Sequence, residues 1–127
     1  MFRADKTLSS FSVNDLQKAK DFYHRTLGLE VTEVPEMNGL LNLKLNDGNR
    51  IMIYSKPNHS PATYTVLNFL VEDIENAVDE LNKQGVNFEK YDDENIKTNN
   101  KGITLGGPKI AWFKDPAGNI LSVLEGK

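Results

Sequence analysis

Lys109–Glu125, KIAWFKDPAGNILSVLE, reads as a strand, a tight turn and a second strand. The turn is Asp115-Pro116-Ala117-Gly118-Asn119: proline presets φ for the second residue of a turn, and glycine accepts the positive φ that other residues resist. Ile110, Trp112 and Phe113 before it, and Ile120, Leu121, Val123 and Leu124 after it, are good strand formers. A core hairpin accounts for all of this except Ser122, whose face on the second strand becomes the functional question.

Upstream, the same logic divides the chain. Lys6–Val13 reads as a strand, with Leu8, Ser10 and Ser12 on one face and Thr7, Ser9, Phe11 and Val13 on the other. Asn14 or Asp15 caps a helix whose apolar stripe is Leu16, Ala19, Phe22, Tyr23 and Leu27, ending at Gly28. Strands follow at Glu30–Val34, Gly39–Leu45 and Arg50–Tyr54, the last two joined by Asn46-Asp47-Gly48-Asn49, a strong hairpin signal. Ser55–Pro61 is a polar linker containing two prolines. The pattern then restarts. Thr63–Val71 is a strand, and Asp73 caps a helix carrying Ile74, Ala77, Val78 and Leu81 to Gly85. Val86–Lys90 is a short strand. Tyr91–Pro108 is a long polar stretch, mostly loop with a short strand near Ile103–Leu105, and its Asn- and Gly-rich runs imply mobility.

The two halves overlay by counting. A shift of 58 places Phe11 on Phe69, Val13 on Val71, Asp15 on Asp73 and Ala19 on Ala77. A shift of 70 places Gly48-Asn49 on Gly118-Asn119 and Ile51-Met52-Ile53 on Leu121-Ser122-Val123. Helix caps, helix ends and hairpins fall in register, so each half reads as β-α-β-β-β. The expected organisation is a single domain over 1–127, with module 1 at about 6–54, a linker at 55–61 and module 2 at about 62–125.

The 127 residues suffice for one core-burying domain, and a net charge of −3 argues against a nucleic-acid partner. No apolar run would cross a bilayer, so no membrane partner is expected, and MFRADKTLSS lacks the apolar core of a secretory signal. Cysteine is absent, which excludes disulfides, thiolate metal sites and cysteine nucleophiles. A cytoplasmic location is the default expectation.

FSVNDLQKAKDFYHRTLGLEV, from Phe11 to Val31, resembles the opening of the vicinal oxygen chelate superfamily, V-x-D-L-x-x-A-x-x-F-Y followed by L-G-L. WFKDPAGNILSVLE resembles its closing F-x-D-P-x-G-N hairpin. The superfamily takes in glyoxalase I, extradiol dioxygenases, fosfomycin-resistance enzymes and bleomycin-binding proteins. The resemblance spans essentially the whole chain. It implies an α+β fold of two βαβββ modules, each curving a mixed sheet around half of a cup with helices outside, and it implies a homodimer.

In catalytic members the cup holds a divalent metal on His, Glu or Gln side chains of the first and last strands. Carried over by motif, the first ligand position lies eight residues before Leu16, at Leu8, and the third five before Val71, at Val66. The fourth lies seven after Asp115, at Ser122, and the hairpin overlay then gives Met52 for the second. Leu, Met, Val and Ser do not chelate such ions, and the immediate neighbours offer no better donors. Of the two histidines, His24 falls on the first helix and His59 in the linker, both read as surface residues. The expectation is therefore no metal and no cofactor.

Strand alternation furnishes the cup instead. The candidate ligand-binding residues are Leu8 and Ser10 from the first strand, Arg50, Met52 and Tyr54 from the fourth, Val66 and Asn68 from the fifth, and Ser122 with Trp112 from the closing hairpin. An apolar hollow with a few placed polar groups suits a small organic ligand. The acidic run Asp92-Asp93-Glu94 reads either as a rim for a cationic ligand or as a solvated loop. The leading functional expectation is a metal-free protein that sequesters an organic, antibiotic-like ligand. A metal-independent enzyme using Tyr54 or Ser122 is the alternative, with no histidine placed to activate Ser122, and a metalloenzyme with displaced ligands ranks last.

Overall fold

The structure, a computed structural model, describes residues 1–126. The chain forms two compact units, 1–59 and 60–127. In the first, β1 (Ser9–Val13), β2 (Glu30–Glu33), β3 (Leu40–Lys44) and β4 (Arg50–Ser55) make a sheet of order β1-β4-β3-β2. β1 pairs parallel with β4, and the other pairings are antiparallel. Helix α1 (Leu16–Asp21) runs on into a π-helical segment (Phe22–Thr26). In the second, β5 (Thr65–Val71), β6 (Ile110–Lys114) and β7 (Ile120–Glu125) give the order β5-β7-β6, again with one parallel pair, beside helix α2 (Ile74–Lys83). Among the described residues no helix is long and apolar enough to cross a membrane.

The repeat holds at the level of single atoms. Asp15 and Asp73, 58 apart, are both extended N-caps whose carboxylates accept from a backbone N–H three residues on, Lys18 and Asn76. The two hairpin turns, 70 apart, make the same bonds: Leu45 N–H to Asn49 O and Gly48 N–H to Leu45 O in one, Asp115 N–H to Asn119 O and Gly118 N–H to Asp115 O in the other. Register repeats too, since Ser10 faces Met52 in the first sheet as Asn68 faces Ser122 in the second.

Each helix covers one face of its own sheet. Phe11, Val13, Leu41, Leu43, Ile51 and Ile53 are buried on that face of the first sheet, together with Ala19 and Tyr23 from the helical segments. Ala111, Phe113, Leu121 and Val123 do the same in the second, under Ile74 and Val78 of α2. The rings of Phe11 and Tyr23 meet at 6.0 Å.

Several expectations are corrected. The first strand begins at Ser9, leaving Leu8 outside it and half exposed. The single helix expected over 14–28 widens into a π-turn: Leu27 N–H bonds to Phe22 O, a five-residue reach. That widening accompanies full burial of Tyr23, packed edge-on against Phe22 at 5.2 Å. Val86–Lys90 is not a strand. It meets the sheet through the bridge Phe88–Phe113 and the bond from Glu89 N–H to Trp112 O.

The stretch 91–108 belongs to no named strand or helix, as expected of a loop, and is tied down by bridges and side-chain bonds. Bridges Asp92–Lys97 and Thr98–Thr104 hold it. Asn99 Oδ1 accepts from Lys101 and Ile103 N–H, and Thr104 ties both Pro108 O and Ile110 N–H. Ile103 is buried beneath, and a Cβ added at Gly102, whose φ is +86°, would stand 2.9 Å from Glu89 O. The short strand expected near Ile103–Leu105 is reduced to the Thr104 bridge.

Candidate functional site

The face of each sheet turned away from its helix carries most of the residues singled out above. In the first unit, Ser10, Met52 and Asn42 form one row across β1, β4 and β3, and Ser12, Tyr54 and Leu40 form the next. Arg50 lies a row further along, opposite Lys44 and exposed. Leu8 is 51% exposed and falls outside the paired rows, so the structure does not bring it to the others as alternation expected.

His59 corrects the reading of a surface histidine. It is half-buried, and its Nδ1 lies 2.6 Å from Ser12 Oγ, folding the linker back onto this face. A serine hydroxyl and an imidazole are thus joined within the first unit. His24 stays exposed, its Nδ1 2.9 Å from Leu29 O at the end of the π-turn.

In the second unit the row is Asn68, Ser122 and Trp112 across β5, β7 and β6. Ser122 is fully buried, and its Oγ donates to Asn68 Oδ1 at 2.5 Å. This satisfies a buried hydroxyl that would otherwise be destabilising. Trp112 Nε1 donates to Thr65 Oγ1 at 3.1 Å. β6 and β5 flank β7, so the indole crosses the central strand, about 10 Å over two strand spacings, to reach that oxygen. Tyr91 stands edge-on to the indole at 5.7 Å. Leu70, Leu124 and Ile110 form the next row, with Leu70 62% exposed.

Val66 does not sit as strict alternation placed it. The β5–β7 register shifts between Thr65 and Leu67, so Val66 occupies a bulge, and Thr65 joins the face of Trp112. Sequence reasoning missed Thr65 because nothing in TYTVLNF marks a bulge. It could have placed Trp112, for a shift of 70 puts it on Asn42, whose row in the first sheet contains Met52.

The acidic run is less of a rim than its composition suggested. Asp93 Oδ1 accepts from Ile96 and Asn95 N–H, and these bonds, Ile96 first, hold its carboxyl below the usual 3.8. It is a turn-former. A depression of about 400 Å³ opens between Tyr91, Asp92 and Lys97–Asn100.

The metal that catalytic members of the resembling family hold does not fit these residues. Leu8, Met52 and Val66 have no donor such an ion takes, and the Ser122 hydroxyl is committed to Asn68. Among the described residues no group of three or more His, Cys, Asp or Glu side chains gathers as a ligand set would.

Comparison with known proteins agrees with this architecture. Residues 7–123 match the family model described as Glyoxalase/Bleomycin resistance protein/Dioxygenase superfamily. A solved protein assigned to the glyoxalase family from Bacillus anthracis is similar with TM-score 0.71 and 24% identity, over 100% of both chains. TnmS3, described as an antibiotic binding protein from Streptomyces sp. CB03234, is similar with TM-score 0.69 and 20% identity, over 99% of this chain and 100% of its own. An integron cassette protein from V. cholerae is similar with TM-score 0.65 and 20% identity, over 100% of this chain and 98% of its own. No curated protein matches. Two β-α-β units in matched register, the D-P-x-G-N turn and a family match over nearly the whole length converge: the chain belongs to the glyoxalase/bleomycin resistance protein/dioxygenase superfamily.

Proposed function

We propose that this protein binds a small organic molecule without a metal, as a sequestering protein and not as a metalloenzyme of its superfamily. The observation that carries the reading is the open face of the second sheet. There an oriented indole and apolar Leu70, Leu124 and Ile110 surround one hydrogen-bonded polar pair, Asn68 and Ser122. Apolar surface with a few fixed polar groups is what small-molecule sites are made of. Ser10, Met52, Tyr54 and Arg50 furnish the corresponding face of the first sheet. The similarity to TnmS3 supports the class of function, an antibiotic-like compound being one member of it. We take the protein to act as a homodimer, as the family resemblance implies, and sedimentation analysis tests that.

Trp112 is the chain's one tryptophan, so its emission reports on this face directly. A library of organic compounds screened by thermal shift, with hits titrated against Trp112 fluorescence in EDTA, tests the reading. The expected result is a saturable fluorescence change with a raised Tm. Hits that raise Tm only when a divalent metal is supplied would overturn it.

A second reading, a metal-independent enzyme, rests on Ser12 and His59. A hydroxyl 2.6 Å from an imidazole nitrogen can pass its proton there as it attacks a carbonyl. Hydrolysis of 4-nitrophenyl acetate, lost in both Ser12→Ala and His59→Ala, would establish it. A wild-type rate equal to that of buffer removes it.

A further inference from the structure

The hydrogen bond between Ser122 and Asn68 fixes more than the serine. Ser122 is fully buried, and its hydroxyl proton needs an acceptor, which Asn68 Oδ1 provides. Turning the Asn68 amide over would present Nδ2 to Ser122 and strand that proton. The amide is therefore held one way round: carbonyl toward Ser122, NH2 outward. Asn68 itself is exposed, so the group offered to solvent from this row is a donor. Beside it lies the Trp112 indole, half-exposed, its own N–H already engaged by Thr65. The indole thus has no free donor, and its exposed part offers π-surface beside Tyr91, which stands edge-on to it. Leu70 extends the same face with apolar surface. The face presents a flat aromatic platform, an apolar margin and one directed N–H donor beside the platform.

We infer that this face selects a planar aromatic ligand bearing a carbonyl: the ring system stacks on Trp112 and the carbonyl oxygen accepts from Asn68 Nδ2. This rests on the small-molecule-binding reading above and adds the ligand's chemical class to it. A ligand whose edge group is itself a donor meets the outward NH2 unfavourably. A purely hydrocarbon ligand leaves that NH2 desolvated and unbonded.

The test uses a matched pair that shares ring system and charge, 9-fluorenone-2-carboxylate and fluorene-2-carboxylate, titrated calorimetrically into the intact protein. The first has a carbonyl where the second has a methylene. The expected result is tighter binding of the fluorenone by about tenfold, the usual worth of one buried hydrogen bond left unmade. Asn68→Asp retains an oxygen for Ser122 and removes the donor. It abolishes or reverses the preference, because a carboxylate oxygen then faces the fluorenone carbonyl, while repulsion of the carboxylate that both probes share cancels from the ratio. Trp112→Phe weakens both probes together. Ser122→Ala frees the amide to turn and narrows the preference in the same direction, which serves if Asn68→Asp does not fold. Equal affinities in the wild type, or an undiminished preference in the folded Asn68 and Ser122 variants, overturn the inference. Binding of neither probe also overturns it. In those cases the broader binding reading is still judged separately, by the compound screen and Trp112 fluorescence.

Discussion

Asp115 closes the last hairpin by accepting from donors of its own turn. Its Oδ1 takes the N–H groups of Ala117 and Asn119 at 2.9 Å, and its Oδ2 takes Asn119 Nδ2 at 3.0 Å. Both Asp115 and Asn119 are buried, so removing the acceptor strands donors that water cannot easily reach. Asp115→Ala is expected to lower unfolding free energy by about 2–3 kcal/mol in urea titrations. Gly118 sits at φ +86°, and an added Cβ would meet Pro61 Cγ at 3.2 Å. Gly118→Ala therefore loses about 1–2 kcal/mol from backbone conformation alone. An unchanged denaturation midpoint in either variant would contradict these assignments. This turn was legible in the sequence because its bonds join residues within five positions of one another. The Ser122–Asn68 bond joins residues 54 apart, and there only the face was legible, from alternation and the repeat, not the partner.

Among elements, what the sequence hid was irregularity. Alternation is a rule of regular strands, and the bulge at Val66 suspends it, which is why Thr65 reaches Trp112 unforeseen. The polar composition of 91–108 marks a loop, and the same Asn, Asp and Thr side chains that resist regular structure are the ones that bond a turn's backbone. Asn99 is half-buried and holds both Lys101 and Ile103 N–H. Asn99→Ala should destabilise the protein by about 1–2 kcal/mol and sharply raise hydrogen exchange at Ile103 and its neighbours. Exchange there as fast in the wild type as in an unstructured peptide would show these bonds to be absent. Asp93 makes a pH-dependent case. Its folded-state value lies below 3.8, so its turn bonds are at full strength above the unfolded value and are lost as pH falls through the folded one. Amide shifts of Asn95 and Ile96 should titrate with a midpoint under 3.8, and a midpoint at or above that figure would contradict the geometry.

At the scale of the whole chain, the two units match in caps, turns and register and differ on their open faces. Asn42 and Trp112 occupy equivalent places, 70 residues apart, one a small amide and the other the chain's sole indole. The four positions that the family resemblance equates with the metal donors of its enzymes hold Leu8, Met52, Val66 and Ser122. Linkage turns that into a measurement on the intact protein. Whatever binds only the folded state raises stability by RT ln(1 + [L]/Kd), about 2.7 kcal/mol at a hundredfold excess over Kd. For a chain of 127 residues that raises Tm by roughly 10 °C. An organic ligand of the selected class should produce a shift of this order. Mg²⁺, Mn²⁺, Ni²⁺ or Zn²⁺ at millimolar concentration should move Tm by no more than about 1 °C, because side chains of this chemistry give such ions no folded-state preference. EDTA should leave the ligand's shift intact. A metal-dependent rise of several degrees, with stoichiometric ion retained through dialysis, would mean that donors elsewhere in the chain have taken over the lost role.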